Sequence, residues 1–118
     1  MSVPLDPDLH APRIGRRAAE HYFTHISDAA CSAMVIVVSE LVTNAVLYGG
    51  PPIKLRLQLD KRGAYVEVED GDAHMAPLKA DSRGLRIVEA VALRWGIKHG
   101  THRKSVWAYL PVGPGSSE

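Results

Sequence analysis

Apolar and polar residues alternate twice in close succession near the middle of the chain. Ile53, Leu55, Leu57 and Leu59 are interleaved with Lys54, Arg56 and Gln58; after Asp60-Lys61-Arg62-Gly63 the alternation resumes with Val66 and Val68 against Tyr65, Glu67 and Glu69. A period of two marks strands with one apolar and one wet face, and the stretch between them is turn chemistry. The segment reads as a β-hairpin. It can persist only in a larger sheet whose apolar face is covered by other elements.

Helices supply the cover. Pro12 suits the first turn of a helix running to about His25, with Ile14, Ala18, His21, Tyr22 and His25 at spacings of three and four. Ser27 or Asp28 caps a second helix, in which Ala30, Ala33, Met34, Val37, Val38, Leu41 and Ala45 form an apolar stripe ended by Gly49-Gly50-Pro51-Pro52. A polar loop, Gly71 to Ala80, leads to a short helix from about Arg83 to Leu93 and two more strands, Arg94 to His99 and Lys104 to Leu110. The order α, α, β, β, α, β, β excludes alternating βαβ winding. The expected class is α+β, a two-layer α/β sandwich whose mixed, mainly antiparallel sheet is covered on one face by about three helices. The expected boundaries are a tail over 1–11, one domain over 12–111 and a tail over 112–118.

A chain of 118 residues fits one domain. With 46% hydrophobic and 23% charged residues it has a globular composition, which excludes wholesale disorder. Fourteen Lys and Arg against 13 Asp and Glu leave no basic footprint for nucleic acid, and Arg13, Arg16 and Arg17 read as a solvated helix face. The longest stretches without Asp, Glu, Lys or Arg, Leu41 to Ile53 and Ser105 to Ser117, are too short to span a bilayer, and the N-terminus lacks a signal-peptide run. Cys31, the only cysteine, suits a reducing compartment. No membrane contact and a cytoplasmic location are expected.

Two polar residues interrupt the second helix at its buried edge. At about 100° per residue, Glu40 and Asn44 lie beside the apolar stripe, one turn apart. A carboxylate and an amide so placed can orient a hydroxyl for attack and hold a hydrated divalent cation. They equally describe a helix-end pair with local hydrogen bonds. His21 and His25 lack a third ligand for zinc, and Gly100 to Ser105 lacks the glycine before its lysine that a phosphate-binding P-loop needs. Trp95 and Trp107 read as core or sheet-edge residues.

The surrounding residues add a resemblance. Ser39-Glu40-Leu41-Val42-Thr43-Asn44-Ala45, followed by a hairpin ending in Glu69-Asp70-Gly71-Asp72, resembles the first two nucleotide-binding boxes of the superfamily that includes gyrase, sensor histidine kinases, mismatch-repair ATPases and a heat-shock chaperone (GHKL). Within it the chain is most similar to stand-alone anti-sigma-factor serine/threonine kinases and short bacterial ATP-binding regulators. Arg83-Gly84-Leu85 resembles the box that opens the last helix, and Arg94-Trp95-Gly96 with Ser105-Val106-Trp107-Ala108 resembles the closing strands.

The resemblance implies the histidine kinase-like (Bergerat) fold with ATP and Mg²⁺ as cofactors. It implies Glu40 as general base, Asn44 as Mg²⁺ ligand and Asp70 as acceptor for the adenine amino group. It further implies Gly71 where the backbone approaches the base, Ser82, Arg83, Gly84 and Leu85 at the phosphates, and Ser105 near the adenine. The sequence departs from the family pattern at Tyr48, where a histidine is common, and at Ser82 and Arg103, where glycines are common; the loop between Asp70 and Gly84 is short. The implied function is phosphorylation of a small partner protein, anti-anti-sigma-like or a sigma factor, and a homodimer is compatible with it. The alternative is a non-catalytic partner-switching module.

Overall fold

In the computed structural model, which describes residues 1–71 and 83–112, the chain runs β1 (Ser2–Leu5), α1 (Ala11–Tyr22), α2 (Asp28–Tyr48), β2 (Ile53–Leu59), β3 (Gly63–Asp70), α3 (Arg83–Val91), β4 (Arg94–His99) and β5 (Lys104–Pro111). The strands form one sheet in the order β1-β2-β3-β5-β4, and every neighbouring pair is antiparallel. The expectation of a mixed sheet is corrected here. β3 and β4, joined through α3, run the same way, but β5 turns back between them and removes the parallel contact. The helices lie on one face, as the alternation requires, and the architecture is the expected two-layer α+β sandwich.

The segment expected as an N-terminal tail contains a strand. Residues 2–5 pair with β2, Val3 opposite Leu55 and Leu5 opposite Ile53, and Leu5 is buried. Pro4 is tolerated because β1 is an edge strand, where a missing N–H costs little. At the other end Val112, assigned to a tail, closes the core, and residues 113–118 lie outside the described residues.

α2 is the central helix and touches α1, α3, β2, β3 and β5. The Ser27 hydroxyl accepts from the Ala30 N–H at 3.1 Å and caps it. Met34, Val37, Val38, Leu41 and Ala45 are buried as expected, joined by Val42. By length and composition α2 could cross a bilayer; one side of it packs on the sheet and the flanking helices, while Ile36 and Leu47 are exposed.

α1 ends at Tyr22, before the expected His25, because Phe23 turns into the core and stacks edge-on against Tyr22. Its buried face is Ala11, Gly15 and Ala19, while Ile14, His21 and His25 are exposed. A Cβ at residue 15 would lie 3.1 Å from Val38 Cγ1 and 3.3 Å from Val42 Cγ2. Small residues therefore set how closely α1 approaches α2.

The open sheet face carries linked charges. Arg56 Nη1 reaches Glu69 at 2.9 Å and Glu67 at 3.3 Å, and Arg103 reaches Glu69 at 3.1 Å. Trp107 stacks on Tyr65 on this face, at 6.2 Å between centroids. Burial alone would raise the Glu69 carboxyl; the Arg56 hydrogen bond and the charges of Arg56 and Arg103 overcome it and hold the group below its ordinary range. In the β2–β3 turn, Asp60 Oδ1 accepts from the Arg62 N–H, the Tyr109 hydroxyl and the Gly63 N–H, and these bonds likewise lower its pKa.

Both shifts are downward, so their contribution to stability is complete above about pH 4 and disappears as pH falls through the lowered folded values. Asp60→Ala is expected to reduce the melting temperature at neutral pH, with the gap to wild type closing as pH falls from about 4 through the lowered folded value. A gap that stays constant across a thermal-melt series in that range would refute the assignment.

Candidate functional site

Glu40 and Asn44 are both partly buried on α2, one turn apart at the edge of its apolar stripe. Their stretch of helix is pinned from two sides. The Thr43 hydroxyl donates to the Ser39 carbonyl at 2.6 Å, and Arg16 of α1 donates from Nη1 to the Ser39 hydroxyl at 3.0 Å. Ser39 thus ties an α1 arginine to the residue next to Glu40.

Asn44 lines a small cavity with Leu41, Ala45 and Tyr48 of α2, Val68 and Asp70 of β3, and Lys104 and Val106 of β5. Its Nδ2 is enclosed and has no hydrogen-bond partner among the described residues. Such an orphan costs about 1–3 kcal/mol. Native structures carry few of them, and each calls for a reason such as a ligand that completes it.

Asp70 belongs to the apolar phase of β3, with Val66 and Val68, and Lys104 to the apolar phase of β5, with Val106 and Ala108. Antiparallel register sets the two opposite one another, and Lys104 Nζ donates to Asp70 Oδ1 at 3.1 Å with side-chain exposures of 5% and 3%. Pairing helps to offset the cost of taking two charges so far out of water.

The Asp70 carboxylate also abuts the end of α2. A Cβ at residue 49 would fall 2.5 Å from Asp70 Cγ and Oδ2, so only glycine lets the carboxylate in so close. A carboxylate is ill-placed at the negative end of a helix, and the Lys104 ammonium offsets that charge. Beyond it the Gly71 N–H donates to the Gly50 carbonyl at 2.7 Å, and a Cβ at residue 71 would meet Pro51 O at 2.2 Å. The Gly49–Pro52 segment is thereby latched over the end of β3.

The fold thus brings Asn44 and Asp70 into one cavity, with Glu40 one turn away, while Gly71 follows Asp70 against the Gly50–Pro52 segment. Leu85 is buried in α3, and Arg83 and Gly84 open that helix. Ser82 lies outside the described residues, as does the loop over 72–82. Ser105 is not brought to the cavity. It pairs with Glu69 and Lys98 and takes the opposite strand phase from Lys104, which puts it on the open face.

Lys104 is the residue that sequence reasoning missed. A lysine in the inward phase of β5, like an aspartate in the inward phase of β3, breaks the alternation and was visible as such.

In kind, these groups suit a purine nucleotide with its cation. An amide one turn from a carboxylate can take a hydrated divalent ion, a buried carboxylate can accept from an exocyclic amine, and the start of α3 offers backbone N–H groups to phosphate. In size, the cavity is about 10 Å³, room for about one water.

No family model and no curated protein matches the sequence. Solved structures do match. The RsbU and RsbW domains of Rv1364c from Mycobacterium tuberculosis superpose with a TM-score of 0.77 at 20% identity, over 95% of this chain and 32% of that one. The Acinetobacter baumannii histidine kinase AdeS gives 0.58 at 12% identity, over 96% and 68% of the two chains. The histidine kinase domain of the E. coli osmosensor EnvZ gives 0.54 at 20% identity, over 95% and 88%. The chain spans about a third of the Rv1364c chain and most of the EnvZ domain. Sheet, helical layer and these neighbours agree that the chain has the α+β fold seen in these histidine kinase and RsbW-containing structures.

Proposed function

We propose that the chain is a cytoplasmic ATP-binding regulator of the anti-sigma-kinase type, which phosphorylates a serine or threonine on a small partner protein. The observation that carries this reading is the enclosed Asn44 Nδ2, which lacks a partner among the described residues and so offers a donor to an acceptor atom of a ligand, beside the buried Asp70 carboxylate, in a fold shared with histidine kinases.

Each residue has a definite task. Asn44 holds the cation through its side-chain oxygen, Asp70 accepts from the adenine amine, and the first turn of α3, with Arg83 and Gly84, faces the phosphates. Glu40 takes the proton of the acceptor hydroxyl as it attacks. Bound Mg²⁺ would offset the charge that develops on the transferred phosphoryl group. A new phosphate on the partner would change what the partner binds.

A second reading, a partner-switching module without turnover, is favoured by the size of the cavity and by Lys104 on Asp70. Titration of Mg·ATP into the purified chain separates the two, with GTP and Mg²⁺-free ATP as controls. The kinase reading expects saturable, adenine-selective, Mg²⁺-sensitive binding. Asn44→Ala is expected to weaken it about tenfold or more, the loss of one charge-assisted contact. Absence of binding at millimolar ATP would leave only the module.

A further inference from the structure

The cavity that would take the base is small, and a lysine lines it. Lys104 reaches in from β5 to the very carboxylate that a base amine would use, between the apolar side chains of Leu41, Val68 and Val106. Lys104 holds Asp70 Oδ1, and the enclosed space, about 10 Å³, does not admit a second occupant beside it. Pockets for ligands of nucleotide size measure about 300–1,000 Å³.

Resting on the nucleotide reading above, we infer that Lys104 gates the base pocket. Its ammonium occupies the place of the ligand's amine at Asp70 and must swing out before the base enters. The four-carbon stem has the freedom for such a swing. Tyr48, which shares the cavity wall, is 57% exposed, so the cavity borders solvent on its side. Apparent affinity is then the intrinsic affinity reduced by the fraction of molecules whose lysine is out.

The test titrates the full-length chain and its Lys104→Met variant with two probes, Mg·ATP and adenosine. Removing the gate is expected to tighten both by a similar factor, about tenfold or more. Weaker ATP binding with adenosine unchanged would make Lys104 a phosphate contact and overturn the gate. Unchanged affinities, with wild type binding Mg·ATP saturably, would overturn the gate and leave the nucleotide reading standing. Failure of both proteins to bind either probe would remove the nucleotide reading, and the gate with it.

The wild-type chain gives an independent answer should the variant fold poorly. Acetylation by an N-hydroxysuccinimide ester, read by mass spectrometry, is expected to modify Lys104 at least about tenfold more slowly than the exposed Lys61. Saturating Mg·ATP is expected to speed it. Equal rates in the free chain, or a Lys104 rate that ATP does not raise, would refute the gate.

Discussion

Lys104→Met is expected to lower the unfolding free energy by about 3–5 kcal/mol, the largest loss foreseen for any single substitution outside the apolar core. Methionine keeps most of the stem volume, so the loss is electrostatic: a carboxylate 3% exposed, lodged against the end of α2, is left without its ammonium. In a domain of this size the melting temperature should fall on the order of 15 °C. Asp70→Leu takes the carboxylate from the Lys104 ammonium and should also be destabilising. The double variant Asp70→Leu/Lys104→Met places two apolar groups among Leu41, Val68 and Val106 and should lose less than either single change. Urea unfolding of all four proteins checks this. Additive losses would mean that the two residues act independently.

Glu40→Ala is expected to slow phosphoryl transfer by about 10²–10⁴-fold while Mg·ATP affinity stays within about twofold of wild type. The separation follows from placement. Glu40 sits a turn before Asn44 and does not line the cavity that Asn44 and Asp70 share, so its removal spares the binding groups. Transfer of label from γ-labelled ATP to the partner protein measures one quantity, and calorimetry on the same preparation the other. Equal losses in both would contradict the base assignment and make Glu40 a binding residue.

Much of the fold was legible because its signals are local. The alternation from Ile53 to Glu69 specified a hairpin with a wet face, and the Ser27 cap and apolar stripe specified α2. What escaped was set by partners distant in sequence. Periodicity pointed to Ile14 on α1, yet the contact belongs to Gly15, which has no side chain to register in any pattern and matters only because Val38 and Val42 lie opposite. β1 has four residues and a proline; it is a strand because β2 offers it an edge.

The site divided along the same line. Glu40 and Asn44 lie within one helix, and their spacing alone put them on one side. Asp70 and Lys104 are 34 residues apart, and only the insertion of β5 between β3 and β4 makes them neighbours. Ser105 shows how narrow the margin is, since one step along a strand separates the buried face from the open one.

The seam between β3 and β5 also orders the life of the molecule before it is folded. The β2–β3 and β4–β5 hairpins each close over a short stretch of chain, whereas joining them requires a long loop to shut before any contact rewards it. Asp70 stands on one hairpin and Lys104 on the other. A chain with both hairpins formed but unjoined leaves bare the β3 and β5 edges that the finished sheet pairs, and has no pocket at all, so the capacity to hold a ligand arrives with that long-range pairing.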